Sequence, residues 1–164
     1  MRIHLLVLAS MACSVLSVPD GAHAQLVNHR DLSYAVAKRI AEAAVGACAT
    51  RGNSVAVAVV DRAGETIVAL RGDDAPPHAM ENARRKAYTA LTFRTPTTAL
   101  LKRYAANDTL AHLWVTLPNV SLGDGGLPIK AGADVIGGLG VSGSPGADEP
   151  CSQAGLDKAA DVLR

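Results

Sequence analysis

The chain has 164 residues, which is enough for one domain and too few for several. Apolar residues make up 49% and charged residues 19%, so the chain can fill a core, although aromatic residues supply only 3%. The formal net charge of +1 gives no general attraction to nucleic acid or to an anionic membrane surface, so we expect no nucleic-acid partner.

The first 24 residues have the three-part pattern of a secretory signal peptide. A basic second residue precedes an apolar run from Leu5 to Val18, and small residues follow up to Ala24. The run is short for a bilayer span, so we expect cleavage after Ala24 and no membrane span afterwards. The sequence therefore predicts a signal peptide over residues 1–24 and a periplasmic or secreted domain over residues 25–164.

The first element predicted in that domain is an amphipathic helix over residues 28–50. Its apolar residues recur every three or four positions, Asp31 is available as a cap, and Gly52 lies just past the end. Residues 55–60 and 65–70 then predict a β-hairpin about a glycine-containing turn. The first of these strands is apolar on both faces, which predicts a central place in a sheet covered on both sides.

Helical spacing returns from Met80 to Leu91, and Thr95 and Pro96 are predicted as the N-cap and first residue of a further helix. Strands are then predicted at residues 113–117, 125–129 and 134–142, and a final helix is predicted at residues 148–163. Strands that follow one another without βαβ alternation indicate an antiparallel sheet. The predicted fold is α/β in the broad sense (α+β), with about five strands flanked by helices in the order α-β-β-α-α-β-β-β-α.

Three glycines interrupt the last predicted strand, at positions 137, 138 and 140. They remove side chains where another element or a ligand must come close. No GK[ST] follows them, which argues against a nucleotide loop. Ser142 lacks the G-x-S-x-G spacing of a nucleophile elbow, so the pattern favours tight packing.

Two cysteines remain after removal of the signal peptide, Cys48 and Cys151. An even count in an oxidising compartment favours a disulfide. By closing a long loop, this bond would stabilise the folded state by about 4 to 5 kcal/mol in the chain-entropy model. The alternative is that both are small apolar residues buried on two alanine-rich helices. Neither belongs to a CxxC motif, which argues against a redox or zinc role.

The histidines are His29, His78 and His112, and their spacing is not that of a zinc site. One histidine is nevertheless enough for haem iron, because the porphyrin supplies four nitrogens. His78 follows two prolines in a predicted loop, where its imidazole is free of helix packing, and His29 is the second candidate. Each is also explained as a surface or capping histidine.

Basic residues could bind carboxylates through charge-assisted hydrogen bonds. For Arg84 and Arg85 a solvated helix face is the favoured interpretation. Arg71 and Lys86 lie near loop ends beside small residues, where a ligand could be reached. The candidate cofactor-binding residues are therefore His78, His29, Arg71 and Lys86, with His78 the preferred iron ligand.

Several blocks of the sequence are informative together: 57–61 with Gly64, 68–71 with Asp73, 86–90, Phe93 with Pro96, 125–129 and 135–143. They resemble the GlcG/HbpS family of haem-binding or haem-degrading domains. The resemblance runs from about Leu32 to the C-terminus and is most specific over residues 125–149. The resemblance implies a profilin-like fold, assembly into homo-oligomers and, in some secreted members, haem binding. Residues that match the family's pattern are Arg71, Lys86, Gly126 and Asp148, and the resemblance assigns no axial ligand.

Three functions stay open. The preferred one is an exported protein that binds haem or another tetrapyrrole and acts in haem sequestration or sensing as a homo-oligomer. The second is an enzyme of haem degradation, or of small organic acid metabolism, working at an oligomer interface near Arg71 and Lys86. The third is a non-catalytic oligomeric scaffold.

Overall fold

A computed structural model describes residues 27–164, except for the side chain of Asp108. The predicted signal peptide, residues 1–24, lies outside the described residues. These contain five helices and four strands: α1 (Tyr34–Ala49), β1 (Ala56–Val60), β2 (Thr66–Arg71), α2 (Ala79–Phe93), α3 (Thr97–Tyr104), α4 (Asp108–Val115), β3 (Gly126–Ala131), β4 (Asp134–Ser142) and α5 (Asp148–Lys158). Within this range, no helix combines the length and the apolarity needed to cross a membrane.

The strands form one antiparallel sheet in the order β2-β1-β4-β3. β1 lies between β2 and β4, and all five of its residues are buried, which confirms its predicted central place. The predicted hairpin is also confirmed. In its turn, the Asp61 carboxylate accepts hydrogen bonds from the backbone N–H groups of Ala63 at 2.8 Å and Glu65 at 2.9 Å.

The two faces of the sheet carry side chains of different size. Because neighbours along a strand point to opposite sides, β1 and β4 divide their residues between two layers. Large residues pack with α1 and α5 on what we call the valine face: Val57, Val59, Leu139 and Val141. Small residues lie under α2 on what we call the alanine face: Ala56, Ala58, Gly138 and Gly140.

The glycines of β4 allow α2 to lie very close to the sheet. A Cβ atom at Gly140 would lie 2.0 Å from the carbonyl oxygen of Ala83, and one at Gly138 would lie 2.1 Å from that of Ala87. Contacts this short with backbone atoms leave no room for a side chain. The close approach inferred from the sequence is therefore confirmed, and the approaching element at these two positions is a helix.

Helix α1 begins later than predicted. Ser33 is the N-cap, and its Oγ accepts a hydrogen bond from the N–H of Val36 at 3.3 Å, so the predicted cap at Asp31 is wrong. Residues 27–33 lie ahead of the helix as irregular chain. This irregular segment places His29 beside the turn between β1 and β2.

A disulfide between Cys48 of α1 and Cys151 of α5 ties together the two helices on the valine face, with the Cα atoms 5.4 Å apart. Both residues are fully buried. The two cysteines are therefore joined in a disulfide, and they are not merely two small apolar residues in the core.

The strand predicted at residues 113–117 is wrong, because these residues belong mainly to helix α4. Asn107 caps that helix by accepting a hydrogen bond from the N–H of Leu110 at 3.1 Å. Trp114 then packs its ring on Phe93, with centroids 5.1 Å apart. The described sheet thus has four strands rather than five, and the order is α-β-β-α-α-α-β-β-α.

Two helix ends also differ from the prediction. Pro96, not Thr95, is the N-cap of α3, and the Thr95 hydroxyl donates to the carbonyl of Phe93 at 2.9 Å. Helix α5 ends at Lys158 instead of residue 163. Neither difference changes the sheet.

Candidate functional site

The candidate histidines lie at opposite ends of the sheet. Arg62, which contacts His29, belongs to the turn that follows β1, whereas Arg71 and the chain leading to His78 lie at the other end, where Ala56 pairs with Arg71. The five residues of β1 separate these ends by at least about 13 Å along the strand. One protomer therefore cannot place both imidazoles on one metal ion.

At the turn end, Arg62 organises the surroundings of His29. Its Nη2 lies 3.2 Å from Nδ1 of His29, its Nη1 donates to the carbonyl of Val135 at 3.4 Å, and its Nε lies 3.9 Å from the Asp31 carboxylate. The Arg62 side chain is 31% exposed. The guanidinium is thus oriented by three neighbours while it remains open to solvent.

Two neighbouring clefts share His29 and Arg62. The first has a volume of about 420 Å³, and it is also lined by Asp31 and by the aliphatic side chains of Leu32 and Ile67. The second, of about 370 Å³, is lined by Asn28, Arg30 and Asp134 in addition to the shared pair. We call the two together the His29 cleft.

Arg30 also lines the His29 cleft. Its Nη2 donates to the carbonyl of Ala131 at 2.6 Å and to the Asp134 carboxylate at 3.1 Å. The cleft combines two guanidinium groups, an imidazole and aliphatic side chains with the carboxylates of Asp31, Asp61 and Asp134. The guanidinium groups and the aliphatic surface are the part of it that could bind a ligand with an apolar body and carboxylate substituents. Sequence reasoning missed Arg30 and Arg62, because neither carries a pattern that links it to a histidine.

At the opposite end, His78 is exposed and immediately precedes α2, where its side chain makes no capping hydrogen bond. Arg71 is committed to its own loop. Its Nε and Nη2 donate to the carbonyl of Ala75 at 3.0 and 2.5 Å. Arg71 thus shapes the segment that leads to His78, and its guanidinium already has a backbone partner.

Lys86 lies in the interior, which differs from its expected place near a ligand. It is 3% exposed, and its Nζ donates to the Asp148 carboxylate at 2.8 Å and to the carbonyl of Val141 at 3.0 Å. The second carboxylate oxygen of Asp148 accepts the N–H of Ser144 at 2.9 Å. A ligand carboxylate would have to displace Asp148 to reach this ammonium group, so Lys86 acts as a structural partner of α5.

Arg84 and Arg85 also have structural partners. Arg84 donates to both carboxylate oxygens of Glu81, at 3.0 and 2.7 Å, and to the side-chain carbonyl of Asn119 at 2.6 Å. These hydrogen bonds, donated by Arg84 and accepted by Glu81, lower the pKa of Glu81 and raise the pKa of Arg84. Arg85 donates to the backbone carbonyl of Val120. Both arginines therefore hold the loop before β3 against α2.

Two further residues considered in the sequence have other surroundings. Ser142 is 3% exposed, and its Oγ accepts a hydrogen bond from the Asn82 amide at 3.0 Å. His112 is exposed on α4. Within residues 27–164, no three His, Cys, Asp or Glu side chains cluster closely enough to hold a metal ion.

The described residues thus define an α+β domain with one antiparallel sheet and an exposed imidazole at each end. A family model described as "Haem degrading protein HbpS-like" matches residues 32–157, and the chain belongs to this family. The family resemblance inferred from the sequence blocks is confirmed.

Solved structures similar to the chain include these three. A double mutant of HbpS from Streptomyces reticuli is 37% identical, with a TM-score of 0.74 over 89% of this chain and 97% of its own. The ORFY protein of Klebsiella pneumoniae is 26% identical, with a TM-score of 0.75 over 84% and 99%. A PduOC–haem complex is 29% identical, with a TM-score of 0.70 over 79% and 95%.

Proposed function

We propose that the protein is an exported haem- or tetrapyrrole-binding protein that acts in haem sequestration or sensing. Membership of the HbpS-like family carries this proposal. The similarity to a PduOC–haem complex, at 29% identity and a TM-score of 0.70, supports it. Haem would supply an iron that takes one or two further ligands from the protein.

The residues of the His29 cleft fit such a ligand in kind. His29 offers an exposed imidazole, Arg62 offers a guanidinium group that is partly open to solvent, and the Leu32 and Ile67 side chains offer an aliphatic surface. His78 offers an imidazole without a capping bond, but Arg71 beside it is bonded to Ala75. We therefore propose His29 as the first candidate iron ligand and His78 as the second.

A hemin titration followed by the Soret band tests haem binding and its ligand. The wild-type protein should give a saturable, red-shifted band. Removal of the ligand imidazole in His29→Ala should weaken hemin binding by about tenfold or more. His78→Ala tests the second candidate, and His112→Ala on α4 is the matched control. No shift beyond that of an albumin control would refute haem binding, and an effect of His78→Ala alone would move the site to the other end of the sheet.

Haem degradation is the second candidate function, because the matching family model is described as a haem-degrading protein. Hemin incubated with a reductant should then lose its Soret absorbance faster with the protein than without it. Catalase in both samples removes the peroxide that destroys free haem. Equal rates of loss would favour binding without degradation.

Export is proposed from the pattern of residues 1–24 and is supported by the disulfide, since disulfides persist in oxidising compartments. The N-terminal residue of the protein recovered from the periplasm or medium should be Gln25. Recovery of chains that still begin at Met1 would contradict cleavage. Assembly into a homo-oligomer is proposed from the family, and the molar mass in light scattering tests it.

A further inference from the structure

The hydrogen bond between Arg62 and His29 has only one allowed direction. A guanidinium has donors and no acceptor, and it stays protonated in proteins. With Nη2 of Arg62 at 3.2 Å, Nδ1 of His29 must therefore be the acceptor. Because a neutral imidazole carries one N–H, that proton resides on Nε2.

This direction is the opposite of the one that suits a metal ligand. A histidine that ligates a metal donates its other ring N–H to a carboxylate, a carbonyl or water. In His29 the lone pair of Nδ1 is directed to Arg62, and Nε2 carries hydrogen. While Arg62 stays in place, neither ring nitrogen has a free lone pair for iron.

A ligand carboxylate is the chemistry that would release His29. A guanidinium binds a carboxylate through two parallel, charge-assisted hydrogen bonds, which are stronger than one bond to a neutral nitrogen. Arg62 is 31% exposed and lines both parts of the His29 cleft, so such a ligand can reach it. Its bond to the carbonyl of Val135 is long, at 3.4 Å, which allows the group to turn.

We propose that Arg62 is a positioning residue that couples carboxylate capture to metal ligation by His29. When a ligand carboxylate takes Arg62, the proton on Nε2 leaves to water and Nδ1 takes one from water, so the net charge of the ring is unchanged. The lone pair of Nε2 is then free to bind a metal ion. This coupling rests on the proposed haem site and restricts it to tetrapyrroles that carry free carboxylates.

The protein without ligand tests the first half of the proposal. Nitrogen-15 NMR of the histidine rings is recorded on the alkaline plateau of their chemical shifts, where the rings are neutral. The His29 signals, assigned by their loss in His29→Ala, should show hydrogen on Nε2. Arg62→Met should give a mixture of tautomers, whereas Arg39→Met, which breaks the exposed ion pair with Asp161 elsewhere, should not. Hydrogen on Nδ1 in the wild type, or no change in Arg62→Met, would overturn the proposal.

Hemin and its dimethyl ester, titrated in the same detergent, test the coupling. The ester has no free carboxylate, so the wild type should bind hemin at least about tenfold more tightly, and Arg62→Met should reduce this ratio to less than about threefold. An unchanged ratio in Arg62→Met would overturn the coupling and leave the proposed function standing. No shift with either compound in the wild type would refute the proposed function as well, and the NMR result would show whether the hydrogen bond itself is present.

Discussion

The two faces of the sheet reach the same degree of burial by different means. On the valine face, large side chains such as Val57 and Leu139 fill the space below α1 and α5, and a disulfide joins those helices. On the alanine face, the absence of side chains at Gly138 and Gly140 lets the backbone of α2 approach the strands. The valine face is thus sensitive to lost contacts and the alanine face to added atoms.

The largest expected effect breaks the covalent tie on the valine face. Replacing both Cys48 and Cys151 by alanine should lower the free energy of unfolding by about 4 to 5 kcal/mol, because the unfolded chain loses a loop constraint of 103 residues. Urea denaturation with matched slopes measures the change. A loss below about 1 kcal/mol would show that packing alone holds α5 on α1.

The next effect tests the buried ion pair between Lys86 of α2 and Asp148 of α5. Lys86→Met should cost about 3 to 5 kcal/mol, because it leaves the Asp148 carboxylate, 1% exposed, without its cationic partner. The matched control is Lys38→Met, which removes an exposed i,i+4 pair with Glu42 and should cost less than about 0.5 kcal/mol. Similar losses in the two variants would contradict the structural role of Lys86.

One pair of identical substitutions sharpens the contrast between close and open packing. Gly140→Ala should destabilise the protein by about 3 kcal/mol, because its Cβ would lie 2.0 Å from the carbonyl oxygen of Ala83. Gly46→Ala on α1 has nothing within 4 Å of the added atom and should stabilise the protein by about 0.5 to 1 kcal/mol. Thermal unfolding measures the melting temperature of both variants, and shifts of the melting temperature in the same direction would contradict the comparison.

The smallest effect concerns the outer surface of α2. The hydrogen bond from Arg84 lowers the pKa of Glu81 from its ordinary value of 4.5. The contribution of this bond to the free energy of unfolding is therefore present when the pH is above 4.5, and it is lost as the pH falls through the lower folded-state pKa. The Glu81 side chain is 62% exposed, which limits the contribution to about 0.5 kcal/mol or less. Stability against pH for Glu81→Gln should therefore meet the wild-type curve in acid and fall slightly below it at neutral pH. A gap that persists in acid would assign the effect to packing.

Most of the fold follows from local patterns in the sequence. The hairpin could be predicted because β-branched residues flank a glycine-containing turn, and the close approach of another element or a ligand because glycines interrupt an apolar strand. The segment 113–117 misled because Trp, Val and Thr favour strands. The overlooked signal was Asn107, whose side chain caps α4.

The candidate site was less accessible to sequence reasoning. Lys86 and Asp148 are 62 positions apart, and no local pattern announces that they pair. Arg62 and His29 lie 33 positions apart in a turn and an irregular segment, where neither helical nor strand periodicity fixes the direction of a side chain. His29 and Lys86 could be named as candidates from their chemistry, but their partners are set by the packing of distant segments.

The disulfide has a consequence for proteolysis. Cys48 and Cys151 enclose all four strands and helices α2 to α4 within one covalent ring. A protease that cuts an exposed connection inside this ring, such as the segment around Ala106 between α3 and α4, would leave both fragments attached to each other. On a denaturing gel the nicked protein should therefore run as one species until a reductant is added, and only then as two pieces.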